Sequence, residues 1–185
     1  MGDLFSDVTS ADPVIIEDNG YPLLVGSDSE AKVKPCTVDQ VLKDKRCGDL
    51  KVVVIDAAKM PFISRNISLA WGEGRQSILN RDADDNNRAA RYRQSCRSGT
   101  YKKQYPKGSC DEFEFASSRQ GGDGARVEEV PSREQSCQGG TLSTSYRYQQ
   151  INDGDEFVVV IANPDKIAGE PYAGVDIAKE QSCGI

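Results

Sequence analysis

The segment KGSCDEFEFASSRQGG, residues 107–122, places Asp111, Glu112 and Glu114 directly after Cys110. Carboxylates can take a proton from an attacking water or hold a hard divalent cation through oxygen. Phe113 and Phe115 alternate with them, so a period of two predicts a strand with one apolar face and Glu112 and Glu114 on the other. These acids matter more because the 185-residue chain contains no histidine. A Ser-His-Asp triad, a Cys-His dyad and a histidine general base are all excluded. Any base must be a carboxylate, a lysine or a tyrosine. Any metal site must be built from oxygen donors, which suits Mg²⁺, Mn²⁺ or Ca²⁺.

Charge is spread unevenly behind a formal net charge of −6. Residues 86–110 carry Arg88, Arg91, Arg93, Arg97, Lys102, Lys103 and Lys107 with no acid, whereas residues 1–31 carry only acids. Such a run is either a solvated face or a cationic surface for an anionic polymer. Arg88 and Arg91 would share one face of a helix over 82–96, and Arg119 falls in the glycine-rich turn beside the acids. On the second reading these three contact phosphates, and the acidic residues 1–31 could fold over them as a mask.

Six cysteines stand at 36, 47, 96, 110, 137 and 183, none in a CxxC pattern. An even, scattered set fits three disulfides formed in an oxidising compartment, with Cys36–Cys47 as the most local pair. Asn66-Ile67-Ser68 is a glycosylation sequon. No apolar run is long enough to span a membrane, and the first residues lack the apolar stretch of a signal peptide. Secretion is the expected location.

The elements that must position these residues follow from pattern. LKVVVID (50–56) and EFVVVIAN (156–163) are buried strands. Helices are expected over 37–45, 64–74 and 82–96, and a short extended piece over 76–82. The acidic strand and ARVEEV (125–130) make a hairpin stopped by Pro131. Residues 132–151 read as a loop entering a helix, in which Gln138-Gly139-Gly140 is either a turn or a close approach for phosphate. Trp71 is expected in the core rather than as a base-stacking platform. This order predicts an α+β fold with a small mixed sheet. Residues 1–50 read as an acidic, polar extension, 51–163 as the main domain, and 164–185 as a tail tethered through Cys183.

CDEFEFASSRQGG, VEEVPSREQSCQGGTL and INDGDEFVVVI, in that order, together with the upstream NRDADDNNRAARY, resemble the NucA/NucB family of extracellular deoxyribonucleases. The resemblance covers roughly Lys51 to Asn163 and is closest to the family's fungal and actinobacterial branch. It implies a ββα-metal nuclease core, in which a hairpin and the next helix hold one divalent cation, Mg²⁺ or Mn²⁺, against a scissile phosphate. It further implies Asp111 as general base with Glu112 beside it, and Glu134 and Gln135 at the metal. Gln138 belongs to the Gln-Gly-Gly motif and would approach phosphate. The substrate would be DNA, with RNA left open, and the enzyme a monomer without sequence preference.

Two positions depart from the family pattern. Glu114 replaces the usual proline and adds a carboxylate near the site. Gln135 replaces the usual asparagine, keeping the amide oxygen on a longer arm. The rival readings are a DNA-binding module of the same fold with weakened catalysis, and a glycosidase using two of the carboxylates as acid and base.

Overall fold

The computed structural model describes residues 12–99 and 101–183. Its strands are β1 (Val14–Asp18), β2 (Tyr21–Val25), β3 (Arg46–Cys47), β4 (Leu50–Asp56), β5 (Ile78–Asn80), β6 (Gly108–Phe113), β7 (Arg126–Pro131) and β8 (Glu156–Ala162). Its helices are α1 (Glu30–Val33), α2 (Pro61–Gly72), α3 (Asp85–Cys96) and α4 (Ser132–Tyr148). The fold is α+β.

The two β-branched runs lie side by side at the centre. β4 and β8 pair in parallel from Lys51 opposite Phe157 to Asp56 opposite Ala162. On the other edge of β8, β2 covers its last residues and β5 its first, both antiparallel. β1 and β3 close the two ends of the sheet. A parallel pair needs a long crossover, and α2, α3, the β6–β7 hairpin and α4 all fall within it.

Alternation along β4 and β8 feeds two cores, so both read as continuous apolar runs. Val53, Ile55, Phe157, Val159 and Ile161 face α2, α4 and the hairpin, against Ile63, Ile67, Trp71, Phe113 and Phe115. Trp71 is wholly inside, its ring edge-on to Phe113 at 6.2 Å. Val52, Val158 and Val160 face the opposite side, under Leu23, Val25, Val33, Val38 and Val41.

That second core gives the N-terminal stretch its structural part. Residues 14–47, read from composition as a polar extension, supply three strands and the apolar cover of one sheet face. The Cys36–Cys47 disulfide closes this cover with a Cα–Cα distance of 5.7 Å. The helix expected over 37–45 contracts to a π-helical turn at Gln40–Asp44. Among the acids expected as a mask, Asp18 accepts from the Val38 amide and Asp28 from Ser77, so both are built into this cover. Residues 1–11 lie outside the described residues.

β6 and β7 form a separate two-stranded antiparallel sheet, from Gly108 opposite Pro131 to Phe113 opposite Arg126. α4 begins at Ser132 with no intervening loop, and Gly139 and Gly140 are interior helical residues rather than a turn. Proline suits this junction because it ends a ladder and tolerates a helix start. The C-terminal tail returns to α4 through Cys137–Cys183 and through Arg133, which donates to Asp176 at 2.7 and 2.9 Å.

Candidate active site

α4 presents Gln135, Gln138, Gly139, Leu142, Ser143, Tyr146 and Arg147 along one stripe, at alternating steps of three and one, to a cleft of about 620 Å³. α3 forms the facing wall with Arg88 and Tyr92, and the floor comes from Arg81–Ala83 and the exit of β6. Long-range bonds hold these pieces in place. The Cys96–Cys110 disulfide joins the last residue of α3 to β6, Cα–Cα 6.0 Å, two residues before Glu112. Arg91 donates to Asp82 at 2.7 Å, and the Asp82 amide donates to Ser117 O at 2.9 Å.

Glu112 is the carboxylate of the acidic strand that reaches the cleft. It is 7% exposed, and its Oε2 lies 3.1 Å from Cys96 Sγ, a disulfide sulfur that has no proton to donate. Burial, reinforced by the neighbouring Asp111, pushes its pKa up to about 8. Asp111 turns the other way and is wholly buried. Asn66 Nδ2 of α2 donates to its Oδ2 at 2.9 Å, and burial pushes its pKa up to about 7 against the Asn66 and Gln138 amides. The reason is the strand period: adjacent residues face opposite sides, and Asp111 shares its parity with Phe113. Glu112 therefore lines the cleft, whereas Asp111 lies behind its wall.

Two further carboxylates also leave the cleft. Glu134 is fully buried and its Oε1 accepts from the Phe62 and Ile63 amides at 3.0 Å each, capping the N-terminus of α2 from outside. Burial raises its pKa to about 8 even so. It caps a helix and does not line the cleft, and its Oε2 is buried without a protein partner. Glu114, expected to add charge at the site, turns to Arg75 at 3.4 Å. The sequon fails on the same grounds: Asn66 is fully buried and bonded to Asp111, so the folded protein offers no glycosylation site there.

Among the described residues, the one cluster of three His, Cys, Asp or Glu ligand atoms within 4.8 Å of one another is Cys96, Cys110 and Glu112. Its two sulfurs are bonded to each other, so it offers no thiolate to a metal. Oxygen donors fit a hard cation better. Gln135 Nε2 donates to Cys110 O at 2.9 Å, which fixes the amide and leaves its buried Oε1 without a protein partner on the cleft wall. An amide oxygen beside a carboxylate, with water and phosphate filling the other positions, suits Mg²⁺ or Mn²⁺.

The expected phosphate contacts divide. Arg88 lines the cleft, its only carboxylate partner among the described residues the exposed Asp85 at 3.2 Å, a pairing worth little in water. Gln138 also lines it, and its buried Nε2 lies beside the Asp111 carboxylate without a hydrogen bond inside 3.5 Å. Arg91 is consumed by its half-buried ion pair with Asp82 and instead holds α3 to the floor. Arg119 stands outside the cleft, 3.7 Å from Asp153. Arg81, Tyr146 and Arg147 line the cleft without having been singled out from sequence. Stepping the helical period on from Gln135 would have found Tyr146; Arg81 directly follows β5, outside the cationic run, where no local signal marks it.

A hairpin followed without a break by a helix, with a carboxylate, an amide oxygen and arginines around one cleft, defines a hydrolase for a phosphate-bearing substrate. The sequence matches the deoxyribonuclease NucA/NucB family over residues 67–160, just over half of the chain and spanning α2 to β8. The chain belongs to that family, and it is a deoxyribonuclease. No individual curated protein matches the chain.

Proposed function

We propose that the protein is a secreted, divalent-metal-dependent endonuclease that hydrolyses DNA in the α3–α4 cleft, with the chemistry inside residues 51–163. The observation that carries this is the pairing of Glu112 with the partnerless Gln135 oxygen on one wall of that cleft. Glu112 takes the proton of the attacking water. Once ionised it is a stronger base than a solvated carboxylate, and with a pKa raised to about 8 turnover rises as pH climbs toward that value. Water oxygen bonds to phosphorus, the bond to the 3′-oxygen breaks, and that oxygen leaves with a proton from solvent. Gln135 Oε1 would hold the cation, which when bound would supply neutralisation of charge on the phosphate and on the departing oxygen. Arg88 and the Gln138 amide bind flanking phosphate oxygens. Contacts made to phosphate rather than to base edges give cleavage little sequence preference.

Secretion is supported by the three disulfides and by the absence, among the described residues, of a helix long and apolar enough to cross a membrane. The test is cleavage of supercoiled plasmid with Mg²⁺ or Mn²⁺ and then EDTA, beside Glu112→Gln and Asp111→Asn. Loss of a proton acceptor lowers kcat by about 10²-fold or more in Glu112→Gln. Full turnover by Glu112→Gln, with Asp111→Asn inactive, returns the base to Asp111. A plasmid left intact by every metal, yet shifted in a salt-sensitive way, makes the protein a binder.

A further inference from the structure

We infer that Arg81, seated on Tyr146 and aided by Arg147, is a second phosphate anchor about three helical turns from Glu112 and Gln135, which makes the enzyme select long DNA over short fragments. This rests on the nuclease reading of the cleft. The cleft arginines differ in how they are neutralised. Arg88 has Asp85 at 3.2 Å, whereas among the described residues neither Arg81 nor Arg147 has a carboxylate oxygen within 4.0 Å, and Asp155 acts on Arg81 only from farther away. The acids nearest to Arg81 are engaged elsewhere: Asp82 with Arg91 at 2.7 Å and Asp155 with Lys51 at 2.9 Å.

Arg81 is also held rigidly. Its amide donates to Asp155 O at 2.9 Å, its carbonyl accepts from Gly154 at 2.8 Å, and it bridges to Ser118. Its Nη1 donates to Ile151 O, and its guanidinium lies over the Tyr146 ring at 4.5 Å. That ring is fixed by the 2.7 Å bond between its hydroxyl and Ser117 and by edge contact with Phe157 at 5.6 Å. Arg147 stacks at 4.9 Å on the exposed Tyr148. A guanidinium fixed by an aromatic face and one carbonyl keeps its other N–H groups for the two non-bridging oxygens of a phosphate.

Spacing separates this anchor from the reacting phosphate. Gln135 and Tyr146 sit on one stripe of α4, and at 1.5 Å per residue they are about 16 Å apart along the axis. A duplex strand advances about 3.4 Å per nucleotide, so the two positions meet phosphates several nucleotides apart. A substrate too short to reach Arg81 forfeits that contact while still reaching Glu112.

The experiment uses the full chain with Arg81→Gln, Arg81→Lys and Arg147→Gln. Binding of a duplex is titrated against salt in EDTA, and cleavage is compared on that duplex and on bis(p-nitrophenyl) phosphate. Removing one phosphate contact lowers the slope of log affinity against log salt by about 0.9, and Arg81→Lys retains it. The loss falls on KM for the duplex, about tenfold in excess of any loss on the small diester. Unchanged salt slopes in both glutamine variants, or equal losses on both substrates, overturn the anchor. Because Arg81 has structural bonds, Arg147→Gln on the exposed end decides the case if Arg81→Gln melts early. The binding arm needs no turnover, so a wild type that cuts neither substrate refutes the nuclease reading while the slopes still judge the anchor.

Discussion

Gly139 and Gly140 offer a sharp test of which side of α4 the substrate uses. Both are interior helical positions, and a Cβ built on either meets no protein atom within 4 Å. Packing therefore does not demand glycine at either one. Glycine inside a helix costs roughly 0.5–1 kcal/mol relative to alanine. Each Gly→Ala change should raise stability by that amount, or about 1–4 °C in Tm for a chain of this size. The two positions part company in function. Gly139 lines the cleft with Gln138, whereas Gly140 faces a separate cavity with Thr144 and Asp56. A methyl at 139 occupies the space a phosphate backbone needs, so Gly139→Ala should raise KM for plasmid about tenfold, equivalent to about 1.4 kcal/mol. Gly140→Ala should leave KM unchanged. Thermal melts in EDTA and initial rates on plasmid read the two effects separately. Normal KM in Gly139→Ala, or equal losses in both variants, would refute the placement of DNA along this stripe. Destabilisation in either variant would refute the claim that the fold itself does not require these glycines.

Stability should depend on pH in an unusual direction. Asp111, Glu112 and Glu134 keep their protons to about 7, 8 and 8 in the fold but ionise near pH 4 once unfolded. The folded state therefore binds more protons between about pH 4 and 8, and stability falls as pH rises through that window. Denaturant melts in EDTA should show a lower midpoint at pH 8 than at pH 5; the reverse order refutes the burial argument. Replacing Cys96 and Cys110 together by serine frees α3 from β6, and the lost loop constraint costs about 3 kcal/mol. Nuclease activity should drop at temperatures where the variant's circular dichroism is still native, because Glu112 lies against that disulfide. Truncation to residues 51–185 exposes Val158 and Val160 and removes β2, so it should give no cooperative melt. A folded, active truncation would restore residues 1–50 to the status of an extension.

Much of this was legible in local pattern. The β-branched runs of β4 and β8, the acidic strand, its return and the long helix after Pro131 follow from periodicities of two and 3.6 and from proline's missing N–H. The absence of histidine alone restricts a base to a carboxylate, a lysine or a tyrosine. What tertiary structure decided is where each charge ended up. Asp111 and Glu112 are neighbours of one chemical type, and only the packing of α2 against one side of the hairpin sends the first to Asn66 and leaves the second at the cleft. Arg88 and Arg91 share a helix face in sequence, but Asp82, brought in by β5, claims one of them. The polar composition of residues 12–50 hides the few valines that cover the second sheet face, because burial there depends on partners more than 100 residues away. Local sequence sets the periodicity of each element; the partners that neutralise, bury or expose its side chains are non-local, and only the assembled fold names them.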